Sequence, residues 1–333
     1  MTTAITYSIW NKFNKSNFAD PTGIIWAPET KLWEKYTIDN LVKAEIKPGQ
    51  FEIGDVIQQN ETSASRYFYL TFDPAIDSGK MQKVSGLINL PNRPGTYPVI
   101  VMLRGYVDKE IYKTGTGTQR AGEYFAQNGM ITIAPDFLGY GQSDPEAENS
   151  IESRFQTYTT ALTLLASTES LNGELSTVNR QLKANLTQIG LWGHSNGGQI
   201  ALTILEITGK PYPTVLWAPV SKPFPYSILY YTDDFDDRGK ALRKVIADFE
   251  KDYDTELFSL TNYLDRINAP LQIHQGTADD AVPQKWSDTL AENLKKLDKD
   301  VEYFVYPGAD HNLLGGWQSA VNRSIEFYKN RLK

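Results

Sequence analysis

The sequence predicts an α/β protein with a mostly parallel central sheet, helices on both faces and a small helical cap. Three observations carry that reading. From residue 97 onward, short apolar runs alternate with stretches of helical spacing, the rhythm of βαβ units. One of those runs, residues 99–103, is apolar without interruption, as a strand buried on both faces requires. Finally, 333 residues with 41% hydrophobic content are enough to enclose a sizeable core.

Residues 31–105 read as successive strands. "YTIDNLVKAEI", "FEIGDVIQQN", "SRYFYLTFD" and "KVSGLINLP" alternate apolar and polar residues between Pro, Gly, Asn and Asp turns. Residues 1–80 are therefore expected to form an N-terminal extension whose antiparallel strands make one edge of the sheet. "YPVIVMLRGY" follows as a buried strand, "QRAGEYFAQNG" as a helix stopped by Gly129, and "MITIAPD" as a strand. A loop leads to a long helical stretch at 151–170. Residues 174–185 read as a further helix and "LTQIGLW" as a strand running into a glycine-rich turn. "GGQIALTILEITG" has helical spacing, "TVLWAP", "LQIHQG" and "VEYFVYPG" are three buried strands, and 316–331 is an amphipathic closing helix. With no repeat and no linker in view, residues 1–333 read as one domain.

Residues 221–265 interrupt the alternation with two or three helical segments and no strand. An insertion there is expected to form a cap over the C-terminal edge of the sheet. Its acidic run, Asp233, Asp234, Asp236 and Asp237, fails as a calcium loop. A loop begun at Asp234 puts Arg238 fifth and Val245 in the closing acidic position. A solvated helix start is the better reading.

Composition narrows the function. A net charge of −7 and a pI near 5.2 argue against nucleic acid or an anionic membrane as partner. The chain has no cysteine, which excludes disulfides, thiolate metal sites and a cysteine nucleophile. No apolar run reaches the ~18–20 residues of a membrane span. "MTTAITYSIWNKF" lacks the basic-then-apolar pattern of a signal peptide, leaving two readings open: a cytoplasmic protein, or a secreted or anchored one whose leader has been removed.

The stretch "IGLWGHSNGGQIAL" sets Ser195 in a G-x-S-x-G turn between a strand and a helix. Glycines let the backbone approach closely there, the serine is pushed out at the sheet edge, and the helix start adds positive potential. A serine hydroxyl needs a base, and the chain has only three histidines. His194 should point away from Ser195 in so sharp a turn and reads as packing. His274 lies inside an apolar strand. His311, in the polar "YPGADHNLL" loop after the last strand, is the base by elimination and by chain order. The acid that would orient it is Asp279 or Asp280 in "HQGTADDAVP", and spacing does not separate the two. Oxyanion donors are expected at the backbone N–H of Asn196 and, from the loop after the first core strand, of Tyr106. Arg104, Tyr106 and His194 are the candidate substrate-binding residues. Arg104 is expected to shape the pocket or to pair with a cap carboxylate.

Together these residues resemble the α/β-hydrolase superfamily over roughly residues 80–331. "GHSNGG", "HQGTADDAVP" and "YPGADHN" are most similar to the catalytic domain of prolyl-oligopeptidase-like serine hydrolases, the group of dipeptidyl-peptidases and acylaminoacyl-peptidases. In that group the acid is the first aspartate of the pair, so the resemblance implies Asp279. The "RGY" loop is similar to the oxyanion loop of cutinase-like and polyester-cleaving esterases, which supports Tyr106 and Asn196. About 80 residues precede the core, too few to build the β-propeller that usually accompanies the peptidases, and the loop reads "RG" where many relatives have "HG". The expected activity is cofactor-free, metal-independent hydrolysis of a small-molecule carboxylic ester through an acyl-enzyme. The alternative is a peptidase acting on short peptides or acylated amino acids. Sequence gives no oligomeric state.

Overall fold

Nine strands form a single sheet in the order β1-β2-β3-β5-β4-β6-β7-β8-β9, in a computed structural model that describes residues 31–333. Residues 1–30, part of the expected extension together with the start "MTTAITYSIWNKF", lie outside the described residues. Residues 33–333 form one compact unit. Strands β1 (Gln50–Gln59), β2 (Ser63–Phe72) and β3 (Gln82–Pro91) make the antiparallel edge. Strands β4 (Gly95–Leu103), β5 (Ile131–Pro135), β6 (Leu182–His194), β7 (Thr214–Trp217), β8 (Leu271–Gly276) and β9 (Val301–Tyr306) run parallel. The architecture is the α/β-hydrolase fold.

Period-two alternation divides each buried strand between two apolar layers. Val99, Val101 and Leu103 of β4 join one core, shared with α3 (Ser150–Ser167) and α5 (Asn196–Thr208). Ile100 and Met102 join the other, shared with α2 (Gln119–Gln127) and α9 (Trp317–Arg331). Each such buried side chain contributes roughly 1.5–3 kcal/mol. The chain leaves β4 toward β5 on one side and returns to β6 on the other. Chain order therefore reverses at β4, and the loops after β4 and β6 splay apart there into a crevice, where ligands of open α/β sheets bind.

Three elements differ from the expectation. Strand β9, expected buried, is the last strand of the sheet and only its final residue, Tyr306, is buried, because no strand covers its outer side. "YTIDNLVKAEI" is not a strand but holds α1 (Ile38–Lys43), because Thr37 caps the helix by accepting from the Asn40 amide, 3.2 Å away, and Ile38 and Leu41 fall on one buried face. Helix α4 (Leu171–Val178) stops before the expected 174–185 helix is complete. Asn179 turns extended, and Leu182–Asn185 are drawn into β6 by pairing with Gly95–Pro98 of β4. The room expected between Asp279 and His311 is filled by α8 (Gln284–Lys296) and β9.

The 221–265 segment contains α6 (Tyr226–Leu229), α7 (Lys240–Phe249) and several 3₁₀ turns, with no strand. Its aromatic side chains bind it down: Phe224, Phe249 and Phe258 cluster on Phe155 of α3, and Tyr226, Tyr230 and Tyr231 surround Trp286 of α8. The acidic run does start a helix, with the Asp237 carboxylate accepting from the Gly239 and Ala241 amides at 2.7 and 2.8 Å. Among the described residues no helix is long and apolar enough to cross a membrane. One buried group stands apart: both carboxyl oxygens of Glu206 on α5 lack a hydrogen bond among the described residues. Burial pushes that acid well above the usual carboxylate range, so it is held protonated.

Candidate active site

Strand β6 ends at His194 and α5 begins at Asn196, leaving Ser195 alone at the turn with φ 56° and ψ −122°. A non-glycine residue rarely adopts this conformation, and here the surroundings fix it. The Ser195 amide donates to the Trp217 carbonyl at 2.9 Å, and its carbonyl accepts from Gly198 and Val220 at 2.9 and 3.0 Å. Gly197 lets α5 start directly against β4, since a Cβ there would strike the Leu103 carbonyl. Gly105 packs on the serine so closely that a Cβ would lie 2.8 Å from Ser195 Cβ. The Ser195 hydroxyl itself makes no hydrogen bond among the described residues and is partly open to solvent.

The loop after β9 carries His311, whose Nδ1 lies 3.0 and 2.9 Å from the two carboxylate oxygens of Asp279. The Asp279 side chain is fully shielded from solvent, whereas Asp280 is exposed, which separates the two aspartates that spacing left open. Asp279 is further held by the Ala281 and Val282 amides at 3.0 and 2.7 Å and by Gln275 Nε2 at 2.9 Å. Burial alone would push its acid up. The hydrogen bonds from His311, Val282 and Gln275, with the nearby His311 charge, outweigh it and hold the carboxyl below its ordinary value.

His194 does turn away from the serine, and it meets His311 instead. Its Nε2 lies 2.9 Å from the His311 carbonyl, so that nitrogen carries the proton, and the two rings sit 4.7 Å apart. It lines a cavity with Trp192, Trp217 and Trp317, and its bond to the His311 carbonyl braces the His311 loop. His274 is fully buried between Tyr306 and Gln272, at 2.8 Å from each.

On the other side of Ser195, the amides of Tyr106 and Asn196 are not taken up by any group among the described residues. Both residues line a cavity of about 310 Å³ that also includes Arg104, Tyr140 and Arg154. The Tyr106 ring is 74% exposed and its hydroxyl donates to Asp108 at 2.9 Å. Arg104 is engaged by the protein itself. Its guanidinium donates to the Asp136 carbonyl at 2.7 Å and the Gly105 carbonyl at 2.9 Å and stacks on Tyr140 and Tyr112. It thus shapes the cavity wall and holds the Gly105–Tyr106 turn, and it pairs with no cap carboxylate. Three side chains that the sequence did not single out also belong here: Gln275, Arg154, and Tyr231. The Tyr231 hydroxyl is buried without a hydrogen bond among the described residues; burial and the nearby Asp279 carboxylate push its phenol up. Among the described residues no three His, Cys, Asp or Glu side chains converge in a way that could hold a metal.

The sequence profile of the prolyl oligopeptidase family matches residues 118–333, which include Ser195, Asp279 and His311. The chain belongs to this family. A prolyl oligopeptidase-family chain on this fold is a serine hydrolase, consistent with the relatives found. The uncharacterized peptidase YtmA of Bacillus subtilis (strain 168) is 27% identical over 234 residues, covering 69% of this chain and 81% of that one. Acetyl xylan esterase 1 from Thermoanaerobacterium sp. superposes with a TM-score of 0.57 at 17% identity, covering 89% of this chain and 94% of the esterase. A puromycin-hydrolyzing peptidase of Mycobacterium tuberculosis superposes at 0.54 with 13% identity, covering 86% of this chain and 56% of the peptidase. Esterases and peptidases thus share the fold, and membership in the prolyl oligopeptidase family does not choose between them.

Buried ionisable groups of this family member predict how its stability varies with acid. Burial lowers His194 to about 4 and His274 to about 3. Between those values and 6.5 the unfolded chain binds protons that the folded one refuses, so each histidine's stabilisation is complete above 6.5 and lost as pH falls. Glu206 acts oppositely: folded, it keeps a proton the unfolded chain releases, so its contribution fades as pH rises above 4.5. Near pH 5.5 the two histidines oppose Glu206 and outnumber it, so unfolding free energy should rise with pH there. Chemical denaturation at pH 5 and 6 should show that slope, steeper in Glu206→Gln and shallower in His274→Gln. Equal slopes in all three proteins would contradict the assignment.

Proposed function

We propose that this prolyl oligopeptidase-family hydrolase cleaves carboxylic esters through an acyl-enzyme on Ser195. The observation that carries the reading is a pair of unengaged amides next to Ser195, that of Asn196, which follows it, and that of Tyr106, which follows the Gly105 packed on it, both residues lining one cavity. His311 Nε2 takes the hydroxyl proton as Ser195 attacks the ester carbonyl. Asp279 keeps the other imidazole proton on Nδ1 and balances the charge the ring acquires. The oxyanion forms between the two amides, each contributing about 3–4 kcal/mol in such sites. Collapse expels the alcohol, which leaves with the proton from His311. Water then enters, gives a proton to His311 as it attacks the acyl carbonyl, and His311 returns that proton to Ser195 Oγ as the bond to the carboxylic acid breaks.

The cavity charge supports an ester over a peptide with a free amino terminus. Arg104, Lys109 and Arg154 line it against a single carboxylate, Glu146, so a protonated amine would meet repulsion there. Peptide hydrolysis is the second reading, favoured by the family match and the "GTADDAVP" loop after β8. Matched acyl groups presented as nitrophenyl esters and as anilides separate them. We expect kcat/KM to favour the esters by at least about tenfold, a 1.4 kcal/mol difference, with both activities lost in Ser195→Ala. Preferential anilide cleavage would replace the ester reading by the peptidase one.

A further inference from the structure

We propose that the cavity beside Tyr106 and Asn196 takes an acyl group bearing its own carboxylate, bound by Arg154; this rests on the Ser195 ester-hydrolase reading above. The cavity is lined by Asn196, next in the chain to Ser195, and by Gly105 and Tyr106, of which Gly105 packs on the serine. With the carbonyl oxygen turned to the Tyr106 and Asn196 amides and the leaving alcohol facing His311, which returns the proton to it, the acyl substituent is the group left to extend into the cavity beyond those amides.

The other charged side chains lining that cavity are engaged by the protein itself. Lys109 is ion-paired with Glu146, which also accepts from Ser153 Oγ at 2.9 Å. Arg104 lies beside Asp136, donating to its carbonyl, while the buried Asp136 carboxylate accepts from the hydroxyls of Ser85, Tyr112 and Thr114 at 2.6, 2.6 and 2.7 Å. Glu152, one turn of α3 from the cavity, is turned to Trp33 and Tyr36. Among the described residues Arg154 has neither a carboxylate within hydrogen-bond reach nor a backbone carbonyl accepting from it. Its guanidinium donates only to neutral amide oxygens, those of Asn196 at 3.2 Å and Gln199 at 2.7 Å. Its Nε is buried with no hydrogen-bond partner among the described residues. Burial pulls this guanidinium below its ordinary range, and only the hydroxyls of Tyr158 and Tyr231 counter it. An unpaired guanidinium facing a cavity is costly to maintain, and a carboxylate in the cavity supplies the missing charge and a second acceptor in a planar, two-pronged arrangement. The contact to Asn196 places that carboxylate a few bonds from the carbonyl under attack.

The test compares 4-nitrophenyl hydrogen glutarate and hydrogen adipate with the uncharged valerate and hexanoate. The wild type should prefer the acidic acyl group by about tenfold or more in kcat/KM. Arg154→Met should abolish or reverse that preference, and Arg154→Lys should retain part of it. The ratio is read because Arg154 also touches Asn196, and any damage to the oxyanion pair lowers both substrates together. A wild-type preference for the uncharged esters, or a ratio unaltered in Arg154→Met, overturns the proposal while leaving ester hydrolysis standing. A second measurement needs no turnover: calorimetric binding of free glutarate to Ser195→Ala and to Ser195→Ala combined with Arg154→Met. Binding that depends on Arg154 upholds the anion site even if no ester is cleaved; equal binding, or none to either, rejects it.

Discussion

Ser195→Ala should lower kcat/KM for a nitrophenyl ester by about 10⁵–10⁶ while leaving the fold intact. The size of the loss follows from the steps that disappear: without Oγ no acyl-enzyme forms, and the two free amides and the cavity can only orient substrate for direct attack by water. The intact fold follows from what the hydroxyl does not do. It makes no hydrogen bond among the described residues, and alanine meets the same backbone strain at φ 56° that serine already bears. The melting temperature should therefore move by only a few degrees. Fluorophosphonate should label the parent at one site per chain and leave the variant unlabelled. Equal labelling of both proteins would remove Ser195 from the mechanism.

Asp279→Asn should cost about 10⁴ in kcat, and the hydrogen bonds around the carboxylate say why. Oδ1 accepts from the Ala281 and Val282 amides, so the asparagine oxygen is held at that position. The NH₂ group then occupies the place of Oδ2, 2.9 Å from His311 Nδ1. A donor facing Nδ1 forces the imidazole proton onto Nε2, where it blocks acceptance of the Ser195 proton. The same NH₂ also faces Gln275 Nε2, another donor, so some loss of stability should accompany the loss of rate. Proton NMR of His311 should show the tautomer change. Activity within tenfold of the parent would mean that Asp279 does not govern the ring.

The parts of the site that were legible in the chain are those whose chemistry is local. A glycine-flanked serine between a strand and a helix is visible because the close approach of α5 to β4 forbids side chains at fixed positions around it. His311 could be found because only three histidines exist and the other two sit where a strand or a sharp turn removes them. Asp279 and Asp280 could not be separated by spacing, since which one turns inward is decided by the Ala281 and Val282 amides of a folded loop; family resemblance pointed to Asp279. Arg154 was invisible for a related reason. On an amphipathic helix an arginine reads as a solvated charge, and its lack of a partner is a property of the tertiary surroundings. The strand misread at residues 36–46 shows the limit of periodicity over short spans, where a capping threonine outweighs two or three alternating residues.

The reversal of chain order at β4 bears on when the protein becomes active as it folds. Tyr106 and Ser195 flank β4 and meet once the central strands have paired, but Asp279 and His311 arrive on the loops of β8 and β9, at the far edge of the sheet. On the proposed mechanism, a chain with its nucleophile turn formed and its last two strands undocked has a serine without a base. Recovery of hydrolysis on refolding would then time the closing of the sheet's C-terminal edge, where β8 and β9 dock.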